Sequence, residues 1–493
     1  MIPLQETSQE IYEKKYMLKD DLQNPVDDDV EGTFKRVALA LAQQEPKDQD
    51  YWYGQFFWAL LQGATPGGRI IANAGAEQYK PRTSNINCTV SRIVEDEIAG
   101  ILEASKKSGE TLSGGSGIGY EFSTLRPSNA FVNGAGSFTN GPLAFMDIFD
   151  AMCYTISSAG GRRGAQMSTF AVWHPDIKEY VTAKQQDGKF RQFNLSILID
   201  DEFIEAVKNN DKYALVFPVR QKELNKGIYS EKKDEFIWKN TPWEQWYCKK
   251  MGYITSDDGD MIYCRVWEWI EAQELWDLIM KSTYDYAEPG FILVDRVNEE
   301  NNLWFHEKIR TTNPCGEQPL PPNGSCLLGS VNVARFVKEP FTENARFDWV
   351  TFTKVVQVFT RMLDNVVEIN RLPLEEQREE IKYTRRHGMG IMGIGSMFSL
   401  LGVRYGSEES VLLTEEITKQ LAFINYEVGI ELAMEKGPAP IFRGSTRGVL
   451  NVDLWCESKF MKRIWEECRD LEEKARKYGC RFTHATSIAP TGT

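Results

Sequence analysis

The chain has 493 residues, enough for about three average domains or for one large single-core α/β domain with additions. Its 26% charged and 42% hydrophobic residues exclude a disordered, collagen-like or low-complexity chain. A net charge of −14, from 57 Lys plus Arg against 71 Asp plus Glu, disfavours a polyanion-binding surface, so nucleic acid is not an expected partner, while a nucleotide in a local pocket stays compatible.

The start, MIPLQETSQEIYEKKY, lacks the apolar core of a signal peptide, and no apolar run approaches the roughly 18 residues of a bilayer span. No membrane partner is expected, and a cytoplasmic location is the default. Residues 1 to 65 read as helical, with spaced apolar positions at Phe34, Val37, Leu39 and Leu41 and again at Trp58, Leu60 and Leu61. From 65 to 170 the chain turns to glycine and small polar residues, as in TPGGRIIANAGAEQ, TLSGGSGIGYEF, VNGAGSFTNGP and SSAGGRRGAQMST, which predicts several close-approach loops. The glycine runs at 113 to 119 and 160 to 164 match neither GxGxxG nor the Walker A pattern. Within the second, Arg162 and Arg163 suit either a phosphate, through their guanidinium forks, or a solvated basic turn.

RQFNLSILI (191 to 199) and YALVFPV (213 to 219) read as strands and WDLIMKSTYDYA (276 to 287) as a helix, an alternation that predicts an α/β sheet or barrel with the site on its loops. KVVQVFTRMLDNVVEI (354 to 369) is an amphipathic helix, and 413 to 436 is a second, with Gly437 placed to end it. No repeat or Pro/Ser-rich linker divides the chain, so one continuous domain with a helical N-terminal layer is the expectation. The last segment, THATSIAPTGT, runs from a strand-like stretch into a turn that usually leads to a helix whose amides hold a phosphate. The chain ends there, so the expected site is unfinished.

The densest chemistry lies at Asn313-Pro314-Cys315-Gly316-Glu317, followed by PLPPNGSC with Cys326. A thiol two residues from a carboxylate, flanked by Pro and Gly, describes a rigid loop presenting both groups; the bland alternative is a buried cysteine beside an exposed glutamate. Cys315 and Cys326 do not meet zinc-finger spacing. His174, His306, His387 and His484 show no HExxH or paired spacing and are expected to be structural or exposed. Nine cysteines, odd in number and sparse, fit a reducing compartment.

Taken together, NPCGEQPLPPNGSC, SNINCTV, SGGSGIGYEFSTLRP, ISSAGGRRGAQMST, RQFNLS and SIAPTGT span nearly the whole chain and resemble the catalytic subunit of ribonucleotide reductase. The wording at GGRRGAQM and NPCGEQPLPP is closest to the adenosylcobalamin-dependent class II form. The resemblance implies a ten-stranded α/β barrel made from two antiparallel halves of five parallel strands, with a finger loop at its centre. Residues 1–70 would be a helical region without an ATP cone, and 71–493 a barrel incomplete after the PTGT turn.

By position the resemblance makes Cys315 the thiyl-radical residue, Glu317 the general base on the substrate 3′-hydroxyl and Asn313 its hydrogen-bonding partner. Cys88 and Cys326 become the redox pair. Pro490, Thr491, Gly492 and Thr493 fall at the substrate phosphates, and Ser84, Asn87 and Gly117 in the substrate pocket. Arg162 and Arg163 lie in a loop linking a specificity-effector site to the active site. Asp96 is either an effector contact or a helix N-cap before EIAGILEASKK. The other cysteines, Cys153, Cys248, Cys264, Cys456, Cys468 and Cys480, are expected to be structural.

The implied partners are a ribonucleotide (a diphosphate by resemblance), a deoxynucleotide or ATP effector, a thioredoxin-like reductant, a second copy of the chain and a separate C-terminal chain. A chain ending at this turn is expected to expose sheet edges and to depend on such a partner for stability. Two rival readings stand beside this one. A class I large subunit would take its radical from a metal-containing partner subunit, and a nucleotide-binding half would need a C-terminal chain for activity. A generic dehydrogenase lacks its dinucleotide fingerprint here.

Overall fold

The computed structural model describes residues 5–132, 134–156 and 164–491. The chain forms two compact units, one of Met1–Thr89, Gly114–Ser116 and Gly324–Thr493, the other of Val90–Ser113 and Gly117–Asn323. Each has its own hydrophobic core.

In the first unit the N-terminal stretch folds as the helices Glu6–Lys15, Val30–Ala42 and Gln49–Gln62. The second of these starts at Asp29, whose carboxylate accepts from the Gly32 amide at 2.8 Å, a side-chain N-cap. Val37 and Leu41 on its apolar face and Phe56 on the next helix are sealed from solvent. They share one core with Phe352, Phe359 and Leu363 of the helix Trp349–Glu368, so the helical N-terminus does not stand apart from the rest of this unit. That helix contains the predicted 354–369 apolar pattern and opens at Asp348, which accepts from the Thr351 amide at 3.1 Å. The second predicted helix runs longer, Glu408–Lys436, because Ser407 caps its start and Glu408 and Glu409 suit the positive end of the helix dipole. Gly437, at φ 85°, ends it as expected.

A three-stranded sheet crosses this unit with Leu328–Asn332 at its centre, antiparallel to Ala64–Pro66 and parallel to Gly388–Met392. The strand-like terminal segment makes a single parallel bridge, Met389 to Thr486.

In the second unit four parallel strands lie in the order Gly290–Leu293, Phe193–Ile199, Gln166–Ala171, Gly117–Glu121. Residue rows cross them in register: Tyr120, Ser168 and Leu195 are neighbours in one row, and Gly119, Met167 and Asn194 in the next. Successive side chains on a strand point to opposite faces. The face bearing Tyr120 and Leu195 packs on an aromatic core in which Tyr120, Phe122, Phe149 and Phe193 meet at ring separations of 5.1–5.9 Å. This is the α/β architecture that the alternating pattern predicts.

The predicted 213–219 strand departs from it. Lys212–Pro218 joins a separate antiparallel sheet, with Met261–Glu271 in the middle and Phe236–Asn240 on the other side. A strand that finds its partners through this later segment needs no crossover helix and so leaves the parallel sheet.

Candidate active site

The NPCGE segment forms the tip of a hairpin. Thr311 and Thr312 pair antiparallel with Leu320 and Pro319, and the turn between them carries Asn313 to Gln318. Asn313 is fully buried and closes the turn. Its amide donates to the Gln318 carbonyl at 3.2 Å, its side-chain oxygen accepts from the Gln318 amide at 3.0 Å, and its carbonyl accepts from the Gly316 amide at 3.0 Å. Gly316 takes φ 83°, which the turn requires and a side chain would resist. Cys315 is thereby lifted into the open and Glu317, half-buried, stands two residues on.

The hairpin rests on the parallel sheet, on the face away from the aromatic core. A Cβ on Gly119 would lie 1.9 Å from the Thr312 carbonyl oxygen, so the strand needs glycine where the loop crosses it. The Thr169 hydroxyl donates to the Arg310 carbonyl at 2.8 Å, and the Thr311 hydroxyl to the Tyr120 carbonyl at 3.3 Å. The Arg310 side chain pairs with Glu121 at 3.2 Å, and the same carboxylate accepts from Ser123 at 2.9 Å and from the Trp243 indole at 3.2 Å. Asn194 donates from its side-chain amide to the Pro314 carbonyl at 2.7 Å.

Of the nine cysteines Cys315 is the exposed one. Burial pushes the thiols of Cys248, Cys264, Cys456 and Cys480 up to about 12 and that of Cys153 to about 11, so these stay protonated and unreactive at neutral pH, in keeping with a structural role.

In the first unit Cys88 and Cys326 sit directly opposite each other, where the strands Cys88–Val90 and Ser325–Cys326 pair antiparallel. Opposed residues of such a pair have Cα atoms about 4.5–5.5 Å apart. That lies inside the range of about 4.4–6.8 Å that a disulfide spans. Both are buried.

The remaining sequence candidates fall in different settings. Ser84 is buried, and its hydroxyl donates to the Asn370 carbonyl at 3.2 Å and accepts from the Ile86 amide at 2.9 Å. Asn87, three residues on, accepts from the Arg69 amide at 3.1 Å. Gly117 opens the strand Gly117–Glu121. Pro490 and Thr491 are exposed, while Gly492, Thr493, Arg162 and Arg163 lie outside the described residues.

Asp96 does not cap the helix Ile98–Ser113. Its carboxylate is buried and takes the Arg126 guanidinium at 2.8 Å and that of Arg220 at 2.6 Å, and it also accepts from the Arg126 amide at 3.1 Å. Two arginines outcompete a helix terminus for one carboxylate because charge-assisted bonds are the stronger. Sequence reading did not single out Arg126, Arg220, Glu121 or Arg310, whose partners are far along the chain; Glu121 and Arg126 lie within the SGGSGIGYEFSTLRP motif, Thr169 within ISSAGGRRGAQMST and Asn194 within RQFNLS, but nothing local marks them as supports of the hairpin or of Asp96.

Comparison with known proteins gives two family matches, "Ribonucleotide reductase, barrel domain" over residues 86–493 and "Ribonucleotide reductase, all-alpha domain" over residues 3–79. A vitamin B12-dependent ribonucleoside-diphosphate reductase of Mycobacterium tuberculosis is 29% identical over 98% of this chain and 59% of its own length. One of the same name from Thermoplasma acidophilum is 28% identical over 94% of this chain and 50% of its own. A ribonucleoside-diphosphate reductase large subunit of vaccinia virus is 25% identical over 98% of this chain and 59% of its own. The chain thus spans 50–59% of the length of these curated relatives.

Proposed function

The chain belongs to the ribonucleotide reductase family, and we propose that it reduces ribonucleotides, as diphosphates, to deoxyribonucleotides through a thiyl radical on Cys315. The observation that carries this reading is the anchored hairpin that exposes one thiol of nine beside a carboxylate. A ribose 2′-hydroxyl is a poor leaving group until a hydrogen atom has been removed from the neighbouring carbon. Cys315, as a thiyl radical, takes the 3′ hydrogen and becomes a thiol while Glu317 accepts the 3′-hydroxyl proton. The 2′-oxygen then leaves as water with a proton from one thiol of the Cys88 and Cys326 pair. That pair gives the sugar two electrons and, with its second proton, the hydrogen that ends on the 2′ carbon, closing to a disulfide; Glu317 returns its proton to the 3′-oxygen, and Cys315 returns its hydrogen to the 3′ carbon and is a radical again. A positioned general base such as Glu317 contributes typically about 10²- to 10⁴-fold.

Adenosylcobalamin is the radical source in this reading, supported by the names of the relatives at 29% and 28% identity. Its bound carbon–cobalt bond supplies a radical by homolysis. The loop suits so bulky a group, since a Cβ on Gly316 would meet nothing within 4 Å and the Cys315 side of the turn is open. A deoxynucleotide or ATP effector, a thioredoxin-like reductant, a second copy and a further segment, in this or a separate chain, complete the proposal. So does a cytoplasmic site of action, with which the described residues agree in having no helix long and apolar enough to cross a membrane.

The test is ribonucleoside diphosphate reduction by the chain with dithiothreitol and dATP or dTTP, with and without adenosylcobalamin. Deoxynucleotide formed only with the cofactor and lost in Cys315→Ala is the expected result. Product that instead requires a metal-containing radical partner overturns the cofactor. Nucleotide binding without turnover under every complementation overturns the reaction.

A further inference from the structure

The hairpin that carries Cys315 is held at its base and closed at its turn, and one contact reaches the peptide of the cysteine itself. Asn194 lies in the registered row Gly119, Met167, Asn194 of the parallel sheet. Gly119 of that row lies under the Thr312 carbonyl, which identifies the row's outward face as the one the loop crosses. The next residues of the same strands, Tyr120, Ser168 and Leu195, turn to the core. Asn194 therefore projects toward the loop from a strand clamped on both sides, by Gln166–Ala171 and by Gly290–Leu293.

Its amide donates at 2.7 Å to the Pro314 carbonyl. That carbonyl belongs to the planar peptide whose nitrogen is that of Cys315, so fixing the oxygen fixes the plane from which the Cys315 Cα and thiol project. Pro314 removes one backbone torsion on the near side, and Asn313 closes the turn through its bonds to Gln318 and Gly316. On the far side Gly316 has open space. The Asn194 contact ties the tip to a rigid element, while the Arg310 and Glu121 pair ties down the base.

We propose that Asn194 is a positioning residue for Cys315, holding the Pro314–Cys315 peptide so that the thiol keeps one orientation toward the substrate 3′ carbon. The inference rests on the reading of Cys315 as the hydrogen-abstracting residue. Displacement of a reacting group by about 1 Å costs on the order of 10²-fold in rate. The side chain is exposed, so its replacement leaves the core intact.

The experiment compares the wild-type full chain with Asn194→Asp, which keeps the shape but sets an acceptor against the Pro314 carbonyl, and Asn194→Gln, which keeps a donor. Asn194→Asp is expected to lower kcat 10- to 100-fold with KM for the ribonucleotide within twofold. In the resting protein, without cofactor, the rate of Cys315 alkylation by iodoacetamide is expected to change at least threefold. Asn194→Gln should recover part of both. Unchanged kcat in Asn194→Asp, or a fall in kcat with the alkylation rate and pH profile of Cys315 unaltered, overturns the positioning role. Turnover retained in Cys315→Ser instead overturns the underlying reading, and the alkylation measurement still decides whether Asn194 orients the thiol.

Discussion

Cys315 stands in solvent two residues from an asparagine that is completely sealed, and the contrast shows how the hairpin presents a thiol. The side chain is exposed while the backbone beneath it is held by the bonds of Asn313. His387 shows the opposite use of burial. It is fully enclosed, with the Phe482 ring centroid 4.1 Å from its own, and burial pushes its imidazole down to about 4 against the favourable field of Asp364. In the unfolded chain the same group titrates near 6.5, so between pH 6.5 and 4 the unfolded state holds more protons and stability rises with pH. Urea unfolding midpoints measured from pH 7 to 4 should therefore fall with acidification, with a contribution of up to about 1.4 kcal/mol per pH unit. His387→Gln should remove that component. The hairpin's candidate residues were legible because Asn313, Cys315 and Glu317 lie within one short stretch of sequence. The opposition of Cys88 and Cys326 was not readable from spacing, because it depends on the pairing of two very short strands. The two arginines on Asp96 were equally hidden, since nothing near that residue in sequence announces them.

Among the elements, the long helices followed their apolar period closely enough to be placed to within about a turn and a half, with caps at Asp348 and Ser407 accounting for the earlier starts. The strand Lys212–Pro218 did not follow the parallel pattern, because strand periodicity reports which face is buried and says nothing about which neighbour is taken. The most demanding element is the strand Gly117–Glu121, which must lie flat beneath the hairpin. Gly119→Ala would put a methyl group 1.9 Å from the Thr312 carbonyl, so either the loop lifts or the strand shifts. The expected outcome is a loss of about 1–3 kcal/mol of stability, the usual range for overpacking. A drop of at least tenfold in kcat should accompany it, because the displaced segment is the one that leads into Asn313. Steady-state assays beside chemical denaturation of the same variant would check both.

At the scale of the whole molecule, the N-terminal helices share the core of the first unit with the helix Trp349–Glu368. Glu45, at the end of the N-terminal helical stretch, is fully buried and meets Arg361 at 2.7 Å, Lys436 at 2.9 Å and Asn365 at 2.7 Å. Arg361 in turn lies over the Trp52 ring at 4.0 Å. Residues from three remote stretches of chain thus share one buried ionic knot within the first unit. Glu45→Ala leaves Lys436 without its carboxylate and Arg361 with Glu435 alone, and is expected to cost about 3–5 kcal/mol. Hydrogen exchange should show protection lost together in the helices Val30–Ala42 and Trp349–Glu368. Protection lost in the first helix alone would mean that the N-terminal stretch is an independent module.

The opposed Cys88 and Cys326 carry a topological consequence. The chain between them includes all of residues 90–323, so oxidation of the pair would convert that stretch into a covalent ring. Closing a loop of roughly 240 residues restricts the unfolded chain by about 5 kcal/mol in the simplest entropic account. In the proposed reaction each turnover would oxidise this pair, so the spent form would be harder to unfold, and a reductant restoring the thiols would also restore susceptibility to heat and to proteases. On that proposal, a shortage of reductant would accumulate the oxidised form, inactive yet slow to unfold.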